Sequence, residues 1–283
     1  MVNKSESGTI VLKRLFADKT TVFGIAILLV LVVLAIFAPI LSKYPYIKIN
    51  PAQAFQGPSW EHPFGTDELG RDILSRIMYG GRYSLSVGVF SMVFSVFFGM
   101  LLGSIAGYFG GLLDNIIMRI MDILQSFPQL LLAIVIAAVL GPGLDKSIIA
   151  LGVSGIPVFS RLIRASILSI RGMEYVEAAT SINCSHSRII IRHIIPNALS
   201  PIIVQASLSI AACILSAASL SYIGLGVQPP TPEWGAMLAA GRNYIRDYPY
   251  LVMIPGIFIM ITVLSLNMVG DALRDALDPK LRN

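Results

Sequence analysis

Between residues 177 and 196 the chain carries a polar island in an apolar neighbourhood. It reads Glu177-Ala178-Ala179-Thr180-Ser181-Ile182-Asn183, then nine residues, then His193-Ile194-Ile195-Pro196. These types suit non-covalent chemistry. Glu177 is a carboxylate able to hydrogen-bond a turn or meet a basic partner, and Ala178 and Ala179 are small enough to admit a close surface. Catalytic chemistry finds little support. His62, His186 and His193 lie far apart, without zinc-ligand spacing, so no metal site is expected. No Ser/His/Asp or paired-Asp arrangement sits at matching depth in the apolar runs, which counts against an intramembrane protease. A Gly-x4-Gly-Lys-Ser/Thr phosphate loop is missing as well, so ATP hydrolysis is not expected of this chain.

The second place where charge matters is Arg119 with Asp122, within an apolar run. They stand three apart on one helix face, the spacing of a local ion pair. A charge in a bilayer is costly and kept for a purpose. The pair is read as steadying its helix, with a translocated-ion site as the alternative. Arg119 lies about 6 Å in by helical rise, close enough to snorkel.

The elements that position these groups must be membrane helices. Hydrophobic residues make up 55% of the 283, charged ones 13%, and mean hydropathy is +0.76. A soluble domain carries about 25% charged residues. Six runs approach the roughly 20 apolar residues of a span: 22–41, 84–109, 115–140, 147–162, 199–222 and 250–269. The fourth is interrupted by Gly152, Gly155 and Pro157. The first follows a polar start without a small-residue cleavage site, and reads as a retained span. Cys184 and Cys213 suggest no disulfide framework.

An even number of spans puts both ends on one side. With both termini in the cytoplasm, twelve Lys and Arg fall inside and eight outside, and acids in two long loops offset the outer eight. The organisation is then a cytoplasmic segment 1–21, a first helix 22–41, an outer loop 42–83, a helical core 84–272 and a cytoplasmic tail 273–283. Net charge +5 fits basic cytoplasmic loops and calls for no nucleic acid.

Two outer stretches read as structured. In 42–83, Thr66 or Asp67 is expected to cap a short helix with Leu69, Ile73, Leu74 and Ile77 on one face. In 224–249, the run Gln228-Pro229-Pro230-Thr231-Pro232-Glu233-Trp234 fixes an irregular backbone, with Trp234 expected at head-group level. Either stretch merely caps helices or docks an outside partner.

The island itself predicts two short helices, 173–182 and 187–195. Asn183 between them favours the left-handed conformation that ends a helix. Ser185 is expected to cap the second helix, and Pro196 to close it before the fifth span. An ordinary amphipathic helix lying on the membrane surface is the competing reading.

Glu-Ala-Ala, a turn residue four positions on, nine residues and a closing aliphatic-Pro resemble the coupling loop of bacterial ABC importer membrane subunits. More closely, the chain resembles the second permease of the dipeptide, oligopeptide and nickel importer family. The matching runs are residues 65–72 (Gly-Thr-Asp-Glu-Leu-Gly-Arg-Asp), 118–122 (Met-Arg-Ile-Met-Asp), 192–197 (Arg-His-Ile-Ile-Pro-Asn), 224–230 (Gly-Leu-Gly-Val-Gln-Pro-Pro) and the tail 267–279. Asn183 stands where the family usually has glycine.

The resemblance implies an all-α integral membrane protein of six transmembrane helices. The implied fold is that of a type I ABC importer permease, with a cytoplasmic coupling helix. It implies a bacterial cytoplasmic membrane location and a homologous second permease. One or two cytoplasmic ATPases, which hold the ATP and Mg, and an external solute-binding protein complete the set. The coupling loop 173–196 would act through Glu177, Ala178, Ala179, Asn183, Ser185, Arg188, Arg192 and Pro196. Candidates for docking the binding protein are Thr66, Asp67, Glu68, Arg71, Pro230, Glu233 and Trp234. Short peptides are the implied solute, with nickel, a metallophore or glutathione as alternatives. Small residues of the fifth span, such as Ala206 and Ser219, are expected mainly to pack, some of them lining the path. Two rivals stay open on residues alone: a secondary carrier, disfavoured by few intramembrane acids, and a non-transporting scaffold.

Overall fold

In the computed structural model, which describes residue 16 and residues 18–277, Asp18 starts the first membrane helix, α1 (Lys19–Ile36). Its carboxylate accepts from the Thr20 and Thr21 backbone N–H groups and hydroxyls. Those bonds, the Thr20 hydroxyl first, hold its pKa down at about 2, so an anion always faces the positive end of the helix. The expected segment 1–21 and tail 273–283 lie partly outside the described residues, Lys4, Lys13, Arg14, Lys280 and Arg282 with them.

Eight further helices follow. They are α2 (Ile73–Phe109), α3 (Gly111–Gln125), α4 (Gln129–Leu140), α5 (Leu144–Ile170), α6 (Glu174–Ser181), α7 (Ile195–Tyr222), α8 (Trp234–Gly241) and α9 (Tyr250–Leu277). Single helical turns fill some of the connections. Among the described residues the only β pairing is one bridge, Thr66 to Asp72.

Five helical stretches are long and apolar enough to cross a membrane, and α3 with α4 passes the same test only as a bent pair, the form of a broken span or of a re-entrant loop. The expected continuous third span is corrected here: α3 and α4 meet at 89°. Pro128 has no N–H to donate and disfavours helical angles at Phe127, and the Ser126 hydroxyl turns back to the Ile123 carbonyl at 2.7 Å. The interrupted fourth span is longer than expected. Gly152, Gly155 and Pro157 all lie inside the 27-residue α5, because neighbouring helices fill the space these residues leave.

The second span also begins earlier. No short helix precedes it: Asp72, not Thr66 or Asp67, is the cap, accepting from Ser75 N at 2.7 Å, and the helix runs on for 37 residues. Leu69 lies before it, outside the apolar face shared by Ile73 and Ile77.

The long α2 packs on α5 through small residues. Gly99 faces Phe159, Gly103 faces Ser160 and Ile163, and Gly107 faces Ile167. Spacing of four puts all three on one ridge, and lacking side chains lets the backbones approach closely. A Cβ on Gly103 would come within 2.5 Å of the Ser160 carbonyl oxygen. The Ser95 hydroxyl donates across this seam to the Gly152 carbonyl at 2.7 Å. Around the α2–α5 pair, α7 packs on both, α9 on α7, and α1 on α9, with Gly24 against Met268.

Candidate functional site

The island folds as a helix, a turn and a second helix at the end of the bundle where α2 and α5 finish. Helix α6 has Glu174 and Glu177 in its first turn, where carboxylates complement the helix dipole. Asn183 takes the left-handed conformation, φ +58°, immediately after it. Its N–H donates to Thr180 O at 2.9 Å, and Cys184 N–H donates to Ala179 O at 3.1 Å. That pair of bonds closes the helix end and reverses the chain with a residue other than glycine.

Ser185 occupies the expected cap position, with extended backbone angles, but its side chain makes no capping bond. Pro196 does not close the second helix, which is the larger correction. One continuous helical stretch runs from His186 to Tyr222, and Pro196 sits in the first turn of α7. The preceding Ile189–Ile194 is wound as a π-helix. Wider winding there accommodates the proline, which has no N–H for Arg192 O. Asn197 Nδ2 instead donates to His193 O at 2.6 Å.

The two sides of α6 differ. Val176 and Ala179 are buried against Ile163, Ile167, Ile170, Ile189 and Ile194. Glu177, Ala178, Ser181 and Asn183 face outward, as do Ser185, Arg188 and Arg192. Ala179 therefore packs within its own chain, and Ala178 alone offers the small outward surface. Tyr175 (40% exposed) and Ile182 (76%) are bare on the same loop. Sequence reading passed over both. Their signal is that they fall out of phase with the inward pair Val176 and Ala179.

The loop is fastened to the bundle at separate points. Tyr108, near the end of α2, has its hydroxyl 2.8 Å from His186 Nδ1. Phe109 meets the same imidazole edge-on, with centroids 5.7 Å apart. Arg171 donates to Gly107 O at 3.1 Å. With the apolar seam under α6, these contacts pack the loop against the adjoining ends of α2, α5 and α7.

Arg119 and Asp122 do not pair with each other. Asp122 is bonded to Arg161 on α5, and Arg119 is exposed with no ion pair among the described residues. Asp114 pairs with Arg164 through both carboxylate oxygens, Arg164 Nη2 at 2.6 Å from Oδ2. The two acids of α3 are thus clamps onto α5. A partner on a neighbouring helix wins over the residue three places along because α3 lies against α5, within reach of Arg161 and Arg164, and the Asp122–Arg161 pair forms at the half-exposed edge of that contact.

The outer loops fold onto one another into a platform. Asp67 accepts from Arg71 Nε at 2.6 Å and lies 3.5 Å from Arg76 Nε, while Glu68 meets Arg71 at 3.0 Å. His62 Nδ1 lies 2.9 Å from Asp72. Glu233 caps α8, accepting from Gly235 N and Ala236 N at 2.9 Å each, and takes the Ser84 hydroxyl at 2.9 Å. Trp234 donates to Ile77 O at 3.0 Å and fills the space beside Gly80 and Gly81.

Thr66, Asp67, Arg71, Glu233 and Trp234 are consequently buried, each at most 6% exposed. Trp234 is enclosed within the protein rather than presented at its surface, and these five serve as internal framework in this chain. Burying charges requires such pairing, because an unpaired one loses its hydration with no return. Of the outer candidates, Pro230 is exposed and Glu68 partly so. The tryptophan that does stand free is Trp60, on the loop tip.

Comparison with known proteins converges on one family. Residues 99–283 match the family of binding-protein-dependent transport system inner membrane components, and residues 8–58 match the N-terminal transmembrane domain of oligopeptide transport permease C. The dipeptide transport system permease protein DppC of Alkalihalophilus pseudofirmus is 48% identical over 96% of this chain and 89% of its own. The glutathione transport system permease protein GsiD of Escherichia coli is 45% identical over 90% of this chain and 84% of its own. Among solved structures, an inward-facing MetNI methionine ABC transporter chain superposes with TM-score 0.57 at 19% identity. That match covers 72% of this chain and 96% of the other, and speaks for the fold alone. The chain belongs to the family of binding-protein-dependent transport system inner membrane components, as a permease of the DppC and OppC kind, a transporter subunit rather than an enzyme.

Proposed function

We propose that this chain forms half of the translocation path of an ATP-driven importer of short peptides, moved by a cytoplasmic ATPase that docks on α6. The observation that carries the docking assignment is the division of α6. One side is fused to the bundle, and the other presents Glu177, Ala178 and the apolar Tyr175 and Ile182 to a partner. Exposed apolar side chains beside a carboxylate suit a groove with apolar walls and a basic rim.

Partners in this reading are a homologous permease, one or two ATPases holding ATP and Mg, and an external binding protein. The binding protein meets the platform at Pro230 and Glu68. The loop end of the bundle faces the cytoplasm, together with both termini. In support, Arg161, Arg164, Arg171, Arg188, Arg192 and Arg274 gather at that end. Against a self-sufficient proton carrier, both acids of α3 are engaged by arginines.

Peptide is favoured as solute by likeness to a dipeptide permease along nearly the whole chain. Glutathione, itself a tripeptide, is the second reading, favoured by the 45% identical relative. Purification from the native membrane in mild detergent, with identification of companions, tests the assembly. Reconstitution of that complex with its binding protein then compares ATP-dependent uptake of labelled dipeptide and glutathione. Uptake of neither, or a chain that always arrives alone, overturns the reading.

A further inference from the structure

Two cavities lie along one groove between α7 and α9. The first, about 670 Å³, is lined by Leu215, Ala218 and Ser219 of α7 and by Gly256, Met260 and Val263 of α9, among others, and is apolar. The second, about 590 Å³, has Asn197, Ser200 and Gln205 of α7 and Arg274 of α9 in its wall. Leu215 follows Asn197 by 18 residues, and Arg274 follows Gly256 by 18. Eighteen residues are about five full turns of α-helix, so both cavities open on the same face of both helices.

Between them the helices touch. A Cβ on Gly270 would meet Leu208 Cδ2 at 2.6 Å and Ser207 Oγ at 3.3 Å. Leu208 follows Asn197 by 11 residues and Gly270 follows Gly256 by 14, about three and four turns, which puts them on that same face. The groove is therefore one channel wall pinched at its middle. Its apolar half points to the platform and its polar half to the loop end.

We infer that this face is the chain's own wall of the solute path, with Leu208 against Gly270 as its constriction. The inference rests on the importer reading of the preceding section. Two amides, a hydroxyl and a guanidinium gather around the cavity at the loop end, a lining that suits a polar, charged solute. A peptide leaving toward the cytoplasm carries a C-terminal carboxylate that suits the exposed Arg274 guanidinium in this wall. Its ammonium end suits the Asn197 and Gln205 carbonyl oxygens. Asn197 Nδ2 and Gln205 Nε2 donate elsewhere, to His193 O at 2.6 Å and Ser209 Oγ at 3.3 Å. The apolar half passes side chains of any kind without gripping them.

The test uses the assembled importer in vesicles, with Cys184→Ser and Cys213→Ser in the permease and one added cysteine, Gln205→Cys or Ser219→Cys. A charged, membrane-impermeant methanethiosulfonate is applied from each side, with and without trapping by ATP and vanadate. The cysteine-free parent sets the background. The path assignment expects Gln205→Cys to react from the cytoplasmic side at rest and to slow on trapping. It expects Ser219→Cys to react from the outside, faster on trapping. Each change should be about tenfold, since reactivity follows the population of the open state. Silence of both cysteines in both states would mean that lipid or the second permease covers the groove, and would overturn the assignment. So would labelling that trapping does not alter. Slower labelling of Gln205→Cys by a dipeptide, and not by its C-terminal amide, reports on the peptide reading separately.

Discussion

The Tyr108 hydroxyl and His186 Nδ1 lie 2.8 Å apart, joining the last turn of α2 to the first residue after the cap of the helix that follows the loop. They are 78 positions apart in the chain, and the bond bridges the loop and the bundle. Tyr108→Phe keeps the ring and its edge-on contact with His186 but removes the hydroxyl. The expected outcome is an importer that assembles, hydrolyses ATP, and moves about two- to tenfold less solute per ATP. A lost hydrogen bond of about 0.5–1.5 kcal/mol spans that range. Paired measurement of phosphate release and uptake in one vesicle preparation checks it.

Outward and inward alanines should behave differently. Ala178→Trp places bulk where the partner approaches, and should strip the ATPase from an otherwise intact permease. Ala179→Trp forces bulk into the seam with Ile189 and Ile194 and should lower the thermal midpoint of the isolated chain. Glu177→Gln joined with Ala178→Trp is expected to abolish uptake with membrane insertion unchanged. Co-purification of the ATPase and a melting curve separate the two effects.

Asn183 is strained in a way glycine would not be. Its φ of +58° costs a branched residue about 1–2 kcal/mol. Asn183→Gly should be tolerated, and Asn183→Val should weaken ATPase association by about tenfold or more by the same energy scale. Titration of purified ATPase against the permease in nanodiscs gives both affinities, and equal values would dismiss the turn's importance.

The two tryptophans provide a direct optical check on the platform. Trp60 is fully exposed, while Trp234 is 2% exposed with its indole N–H bonded to Ile77. Trp60→Phe should leave blue-shifted emission that acrylamide barely quenches. Trp234→Ala should cost about 3–5 kcal/mol, as large aromatic deletions in packed sites do, and is expected to impair assembly. Red emission from the Trp60→Phe protein would place Trp234 outside the core described above.

The six apolar runs, the left-handed Asn183 and the family of the chain were all readable before any coordinates, because each is written locally. Hydropathy, one residue's backbone preference and short motifs need no knowledge of neighbours. The partners of charged residues were not readable in this way. Spacing of three joined Arg119 to Asp122, yet Arg161, 39 positions later, takes Asp122. A complementary pattern was present: Arg161 and Arg164 on one face of α5, Asp114 and Asp122 about two turns apart on α3.

The break between α3 and α4 was signalled by Pro128 and masked by unbroken hydropathy around it. Of the two readings open for the outer stretches, burial favours framework for Thr66, Asp67, Arg71, Glu233 and Trp234. Gly80-Gly81 in α2, a hole beside a helix, was the hint that a large side chain such as Trp234 would be swallowed there.

Helix α6 keeps two separate vocabularies on one short cylinder. Val176 and Ala179 pack into this chain's own interior, and the side chains of Glu174, Tyr175, Glu177, Ala178 and Ile182 are exposed. The two sets share no position. On the docking proposed above, a change of ATPase can be written in the outer set without rewriting the buried pair. Transplanting those five side chains onto a related permease should then carry the choice of motor with them and leave the recipient's thermal midpoint unchanged.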